Sequence, residues 1–367
     1  MSFYNLSDII FPHLGISIRN LPMGISIFGF EIAFYGIVVA TAMLVGYLVA
    51  DFNAKRFGVD QDKLMDFAII VIILAVIGAR AYYVIFHWDS FKDAPLSVFN
   101  LRTGGLAIYG GVIVAIITAF VYCRVRKLKI GSFVDVCIPG LIIGQSIGRW
   151  ANFFNREAFG QYTDNVFAMQ MNIHAVGGDY TLTEAALRAK YATNEAALNK
   201  ILEQVSKNVT VDGVTYIQAH PTFLYESLWN LVTFIALSIY AKHKRFHGEI
   251  LAWYAVCYGV GRFWIEALRT DQLFFFNTNI PVSQIVAILM IAAGLSVIIF
   301  NYIILIRKGK FLNPGIVEIK TADKKNGKPS NDKQKGNSSK NERSRNDKPK
   351  GDKQKNDKQK SKVKIVE

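Results

Sequence analysis

Three stretches of this chain set arginines, carboxylates and amides against long apolar runs, where charge is expensive and therefore informative. The first, Arg149-Trp-Ala-Asn152-Phe-Phe-Asn155-Arg156-Glu157-Ala-Phe-Gly160, closes an apolar run with a dense group of hydrogen-bonding side chains. In the second, Tyr258, Arg262 and Glu266 fall at i, i+4 and i+8, with Arg269 just beyond, so all four share one helical face. The third is His220-Pro-Thr-Phe-Leu-Tyr225-Glu226, where Pro221 suits a first helical turn. His220 then sits at the mouth of that helix and Glu226 inside it. A charge at the centre of a bilayer costs at least about 2.5–3.5 kcal/mol, so Arg262 must face protein, water or a bound anion. Guanidinium donors match phosphate oxygens bidentately and stay charged when desolvated. Arg149 and Arg262 directed at one point would therefore suit the headgroup of an anionic phospholipid, with either arginine as the partner that Glu226 needs. The plainer readings are an Arg262–Glu266 ion pair with no ligand, and a capping role for His220.

Other polar points lie nearby. Arg80, near the end of a second apolar run, either joins that site or snorkels to the surface. Tyr35 precedes Gly36, and Tyr109 lies between Gly104-Gly105 and Gly110-Gly111. Tyrosine is common at headgroup level, but paired glycines leave room beside Tyr109 for a lipid chain or another helix. Gly140, Gly144 and Gly148, four apart, form the small-xxx-small pattern of closely packed membrane helices.

These residues need elements to hold them, and apolar length supplies the elements. Runs of roughly 18 or more apolar residues read as membrane spans. They fall near Ile32–Ala50, Asp66–Phe86, Gly104–Tyr122, Phe133–Ile147, Pro221–Tyr240, Ile250–Leu268 and Ile280–Ile306. The expected fold is an all-α polytopic membrane protein of about seven transmembrane helices, the fourth short for a full span. The N-terminus lacks a basic n-region and a cleavage site, so the first span reads as a retained helix. Basic residues follow every odd-numbered span: Lys55, Arg56 and Lys63; Arg124, Arg126, Lys127 and Lys129; Lys242, Lys244 and Arg245; Arg307, Lys308 and Lys310. The other short loops hold only Lys92, Arg102 and Arg269. Cytoplasmic loops carry the Lys/Arg excess, which predicts an outside N-terminus and a cytoplasmic C-terminus.

Residues 1–306 form the expected transmembrane catalytic domain, with an external insertion over about 149–219 that contains a helix-like stretch, Glu184–Val205. Residues 307–367 are a basic tail with recurring Asp-Lys-Gln-Lys, too polar to order itself. The net charge of +14 sits mostly in that tail, which points to a membrane surface and away from a nucleic-acid partner. Cys123, Cys137 and Cys257 lie within apolar runs without metal-type spacing, so no metal or other cofactor is expected.

Taken in order, these residues resemble the prolipoprotein diacylglyceryl transferase family. The most specific element is Gly148-Arg149-Trp-Ala-Asn152-Phe-Phe-Asn155-Arg-Glu157-Ala-Phe-Gly160. It is supported by Tyr35-Gly36, Gly78-Ala-Arg80, the two Gly-Gly pairs, Asp135 with Gln145, His220-Pro with Tyr225-Glu226, and Tyr258 through Asp271. Tyr109 stands where many members have His, Ala151 where many have Gly, and Phe223 where Gln is usual.

The resemblance implies a bacterial cytoplasmic (inner) membrane enzyme. It would move the diacylglyceryl group of phosphatidylglycerol to the lipobox cysteine of a preprolipoprotein signal peptide and release glycerol phosphate. Arg149 and Arg262 would then stabilise the departing phosphate. Asn152, Glu157 and Glu266 would orient those guanidiniums or the headgroup hydroxyls, and Gly160, Arg80, His220 and Glu226 would complete the substrate site. The acceptor of the thiol proton stays open among Tyr109, Tyr35, His220 and the leaving phosphate itself. The rival readings are a transporter or channel for an anionic solute and a non-catalytic lipid-binding scaffold.

Overall fold

A computed structural model describes residues 7–100, 104–176, 181–192, 195–270, 272, 274–275 and 280–308. The basic tail beyond residue 308, with its repeats, and Asp271 lie outside the described residues. Ten helices run in chain order within them: α1 (Phe34–Phe57), α2 (Gln61–Phe86), α3 (Ile108–Val125), α4 (Ile130–Asn155), α5 (Ile173–Val176), α6 (Glu184–Lys190), α7 (Glu195–Ser206), α8 (Thr222–Tyr240), α9 (Glu249–Leu268) and α10 (Val282–Arg307). Six described helices, α1 to α4, α8 and α10, are long and apolar enough to cross a membrane, which makes this a multi-pass membrane protein. α9 is comparable at 20 residues, but Arg262 and Glu266 lower its hydropathy. It packs between α8 and α10.

Small residues decide which helices touch. α1 and α4 run antiparallel, with Gly46 against Gly140, Ala42 against Gly144, and the Phe34 and Phe154 rings 5.0 Å apart. At Gly46 and Gly140 a Cβ would strike the facing backbone, so the small-residue pattern is consumed by packing at Gly140 and Gly144. At Gly148 a Cβ would meet nothing. Gly78 packs on Gly110 between α2 and α3, and Gly294 on Ala252 between α10 and α9. α4 corrects one expectation. It is 26 residues long, not a short span, and continues through Arg149 to Asn155 with Pro139 in its interior. Its polar last turns face protein, so their charge does not end the helix.

The helical reading leaves out a five-stranded antiparallel sheet, ordered β2-β1-β5-β7-β6. Its strands are β1 (Ser7–Phe11), β2 (Ile16–Leu21), β5 (Met169–Asn172), β6 (Val209–Val211) and β7 (Val214–Ala219), while β3 (Gly24–Ile27) and β4 (Phe30–Ala33) form a separate hairpin. In β1, Ser7, Ile9 and Phe11 are buried, the period-two pattern of a strand with one face on a core. That core joins Ile9, Met171 and Ile217 to Phe153 of α4 and Phe223 of α8. The sheet therefore braces the ends of the two helices that carry Arg149 and Glu226. α6 and α7 pack on each other through Leu187, Leu198 and Ile201, and Gln204 Nε2 of α7 donates to the Gln218 carbonyl of β7 at 2.9 Å.

The far end of the bundle is closed by a different set of charges. Asp135 near the start of α4 accepts from Lys244 Nζ at 3.1 Å and from the N–H groups of Gly248, Ile250 and Leu251 at 2.9, 3.1 and 3.2 Å. One carboxylate thus caps the N-terminus of α9, where orphan donors and the helix dipole favour a negative charge. Glu249 accepts from Tyr240 Oη at 2.6 Å and Tyr302 Oη at 2.7 Å. At this end too, Arg126 Nη2 lies 2.7 Å from Asp66 Oδ2.

Candidate active site

At the other end, α4 brings Arg149, α8 brings Glu226, α9 brings Arg262 and Glu266, and Arg269 follows where α9 stops. Arg149 Nε lies 2.6 Å from Glu226 Oε2, and Arg262 Nη1 lies 3.1 Å from Oε1 of the same carboxylate. Arg269 Nη1 reaches that Oε1 at 3.3 Å. Arg262 turns Nη2 to Glu266 Oε2 at 2.7 Å, and Ser283 Oγ donates to Glu266 Oε1 at 2.7 Å. Glu226 therefore pairs with both candidate arginines at once. The Arg262–Glu266 pair is one edge of a larger network.

Accessibility decides what this network presents. The Glu226 and Glu266 side chains are 6% and 2% exposed, against 25% and 22% for Arg149 and Arg262. The two carboxylates are more deeply buried than Arg149 and Arg262, so most of the side-chain surface that the cluster keeps open belongs to the arginines. Held in place by buried partners, these donors meet an anion without the reorganisation that water would require. Beside them lies a small cleft lined by Glu226, Trp229, Asn230, Tyr258, Gly261 and Arg262.

The turn after α4 ties the segments together. Asn152 Nδ2 donates to Glu157 Oε1 at 2.9 Å. Arg156 and Ala158 are left-handed at φ 53° and 57°. Gly160 N–H donates to the His220 carbonyl at 2.9 Å, and Gln161 N–H to the Leu268 carbonyl at 2.7 Å. Gly160 also bridges Arg269. A Cβ there would stand 2.7 Å from His220 Cβ and 2.8 Å from the Leu268 oxygen. Gly160, expected among the substrate ligands, is the close-approach point of three site segments.

The remaining candidates divide. Tyr35, in the first turn of α1, lies within electrostatic reach of Glu157 and Arg149. Tyr109 is half-exposed on the first turn of α3, and among the described residues no hydrogen bond or ion pair joins it to the arginines. At Gly105, Gly110 and Gly111 the room beside the glycines is filled by α2, through Tyr83, Gly78 and Ala75, while at Gly104 a Cβ would meet nothing. His220 Nδ1 lies 3.2 Å from Tyr225 Oη and 3.4 Å from Asn165 Nδ2. Burial holds its pKa below the ordinary imidazole value.

Arg80 does not snorkel and is not positioned as a ligand. Its Nε donates to Val98 O, Nη1 to Gly104 O and Gly105 O, and Nη2 to Ser97 O and Asn100 O, at 2.7–3.1 Å. All five donors are spent on the α2–α3 connection, leaving none for a phosphate. Arg269 is the converse. The spacing set it on the α9 face, but α9 ends at Leu268 and Arg269 reaches Glu226 from the extended residue that follows. Among the described residues, no three His, Cys, Asp or Glu side chains gather to hold a metal ion.

A sequence model of the family described as prolipoprotein diacylglyceryl transferase matches residues 22–300. A Finegoldia magna protein named phosphatidylglycerol–prolipoprotein diacylglyceryl transferase is 37% identical over 270 residues, 73% of this chain and 91% of its own. Proteins of that activity name from Clostridium perfringens and Oceanobacillus iheyensis are 36% and 35% identical, over 80% and 74% of this chain and 98% and 84% of theirs.

Proposed function

The chain belongs to the prolipoprotein diacylglyceryl transferase family, and from that premise we propose that it transfers the diacylglyceryl group of phosphatidylglycerol to the lipobox cysteine thiol of a preprolipoprotein. The reaction takes place at the outward side of a bacterial cytoplasmic membrane, with the N-terminus outside and the C-terminus inside. The observation that carries this reading is the cationic face of Arg149 and Arg262, backed by buried Glu226 and Glu266.

The thiolate sulfur attacks the glyceryl carbon that bears the phosphate ester. A C–S bond forms, the C–O bond breaks, and the electron pair leaves with glycerol phosphate. Negative charge grows on the departing phosphate, so donors fixed before reaction stabilise the transition state more than the bound lipid. Arg149 and Arg262 contact that phosphate. Glu226, Glu266 and Arg269 aim them, while Asn152 and Glu157 hold the turn that follows Arg149. His220 and Gly160 fix the backbone beside the headgroup, and Arg80 shapes the α2–α3 connection.

A free thiol with pKa of about 8.5 is little ionised at neutral pH, so a proton acceptor is required. Tyr35 is favoured over Tyr109 by its place, since the Phe34–Phe154 contact sets the first turn of α1 beside the end of α4 that carries Arg149. The external insertion guides the signal peptide.

Incubating purified protein with phosphatidylglycerol and a lipobox peptide tests the reading by mass spectrometry. The expected product is a peptide heavier by one diacylglyceryl thioether, with glycerol phosphate released. Well-folded protein that yields neither would overturn it.

A further inference from the structure

The hairpin that leads into α1 carries an apolar surface which the chain itself leaves uncovered. β3 and β4 pair in the register Ile25 with Ile32, Ser26 with Glu31, and Ile27 with Phe30. Side chains alternate between faces and cross-strand partners share one. Ile25, Ile27, Phe30 and Ile32 therefore lie on one face, Ser26 and Glu31 on the other, and all six are exposed. The turn is Phe28-Gly29, with φ 51° and 81°. Positive φ at both positions is the hairpin geometry that favours Asn-Gly. A bulky residue in the left-handed region is strained, and Phe28 is 98% exposed, so no contact within the chain offsets that strain.

The ribbon's place in the fold identifies what covers it. Phe34 N–H donates to the Met23 carbonyl at 2.9 Å, locking the ribbon to the first turn of α1. The Phe34–Phe154 contact sets that turn beside the end of α4, five residues past Arg149. The ribbon thus stands at the active-site end of the bundle, continuous with the apolar outer surface of a spanning helix. It holds no Lys or Arg, and its one charge, Glu31, points to the polar face.

We propose that the β3–β4 ribbon is a lipid anchor. Phe28 and the Ile25, Ile27, Phe30 and Ile32 face enter the boundary between headgroups and acyl chains of the leaflet beside Arg149. Ser26 and Glu31 face water. The anchor fixes the depth at which the first turn of α1, with Tyr35, meets phospholipid. Acyl chains suit this surface because it is a flat ribbon with a projecting tip, in line with a helix that already faces lipid. The inference does not rest on the transfer chemistry, and either can fail alone.

Nitroxide accessibility tests it. In full-length protein with Cys123, Cys137 and Cys257 replaced by Ala, labels are placed at Phe28→Cys, Phe30→Cys or Glu31→Cys. The protein is reconstituted in vesicles of phosphatidylglycerol and phosphatidylcholine without peptide. Labels at 28 and 30 are expected to collide more with oxygen than with a water-soluble nickel chelate, and the label at 31 the reverse. Phe28→Asn, which suits the turn, should keep the melting temperature while shifting the label at 30 toward water. Equal nickel accessibility at 28 and 31 would overturn the anchor. So would shielding of 28 that appears only when signal peptide is added, since the ribbon would then be a peptide dock.

Discussion

Two clusters of buried charge stand near opposite ends of α4, about 21 Å apart at 1.5 Å per residue, and they are built for different ends. At Asp135, both carboxylate oxygens are filled by Lys244 and three backbone N–H groups, and the two side chains are 1% and 8% exposed. At Glu226, three arginines converge on one carboxylate, yet Arg149 and Arg262 keep part of their surface open. A closed pair can only hold helices together. A cluster with buried anions and accessible cations also has a surface on which an anion can act.

The comparison is sharpest where each cluster loses a member. Asp135→Ala strands Lys244 and uncaps α9, and should cost roughly 3–5 kcal/mol of stability, measured by thermal unfolding in detergent. The folded fraction should retain its turnover. Arg149→Ala should do the reverse, lowering kcat by about 10²–10³ in the thioether assay, as loss of one preorganised donor does elsewhere, with little change in melting temperature.

Gly160→Ala should fall between the two. Its methyl has no room against His220 and the Leu268 carbonyl, so overpacking of about 1–3 kcal/mol should appear in stability and turnover together. Smaller again is the phenol contrast, read by single-turnover rates across pH. Tyr35→Phe should flatten the profile more than Tyr109→Phe does. If Tyr109→Phe alone removes the rise of rate with pH, the proton goes to α3.

The smallest effect concerns His220. With its pKa held below the usual value by burial, the unfolded chain protonates first. Its contribution to stability is complete above about pH 6.5 and fades as pH falls through the lowered native value. His220→Gln should flatten that acid limb in a plot of melting temperature against pH.

What the amino-acid sequence could convey follows from range. Spanning helices are legible because apolar length is a local property, and α2, α3, α8 and α10 lie within a few residues of their expected bounds. β1 and β2 are not, since short strands earn their burial from β5 and Phe153, far along the chain. At the site, spacing on α9 foretold the shared face of Tyr258, Arg262 and Glu266, though not that α9 stops before Arg269, and the need of Glu226 for a cation foretold its partners. Arg80 was opaque for the opposite reason. Its acceptors are backbone carbonyls, which every residue possesses and no residue type advertises.

The most direct measurement is ¹⁵N–³¹P dipolar recoupling between labelled arginine and phosphatidylglycerol in reconstituted protein. Dephasing of guanidinium nitrogens by phosphorus should be present in the unaltered chain and lost in the Arg149→Lys, Arg262→Lys double substitution. Dephasing that survives in that variant, or never appears, would contradict a phosphate held at the Glu226 cluster.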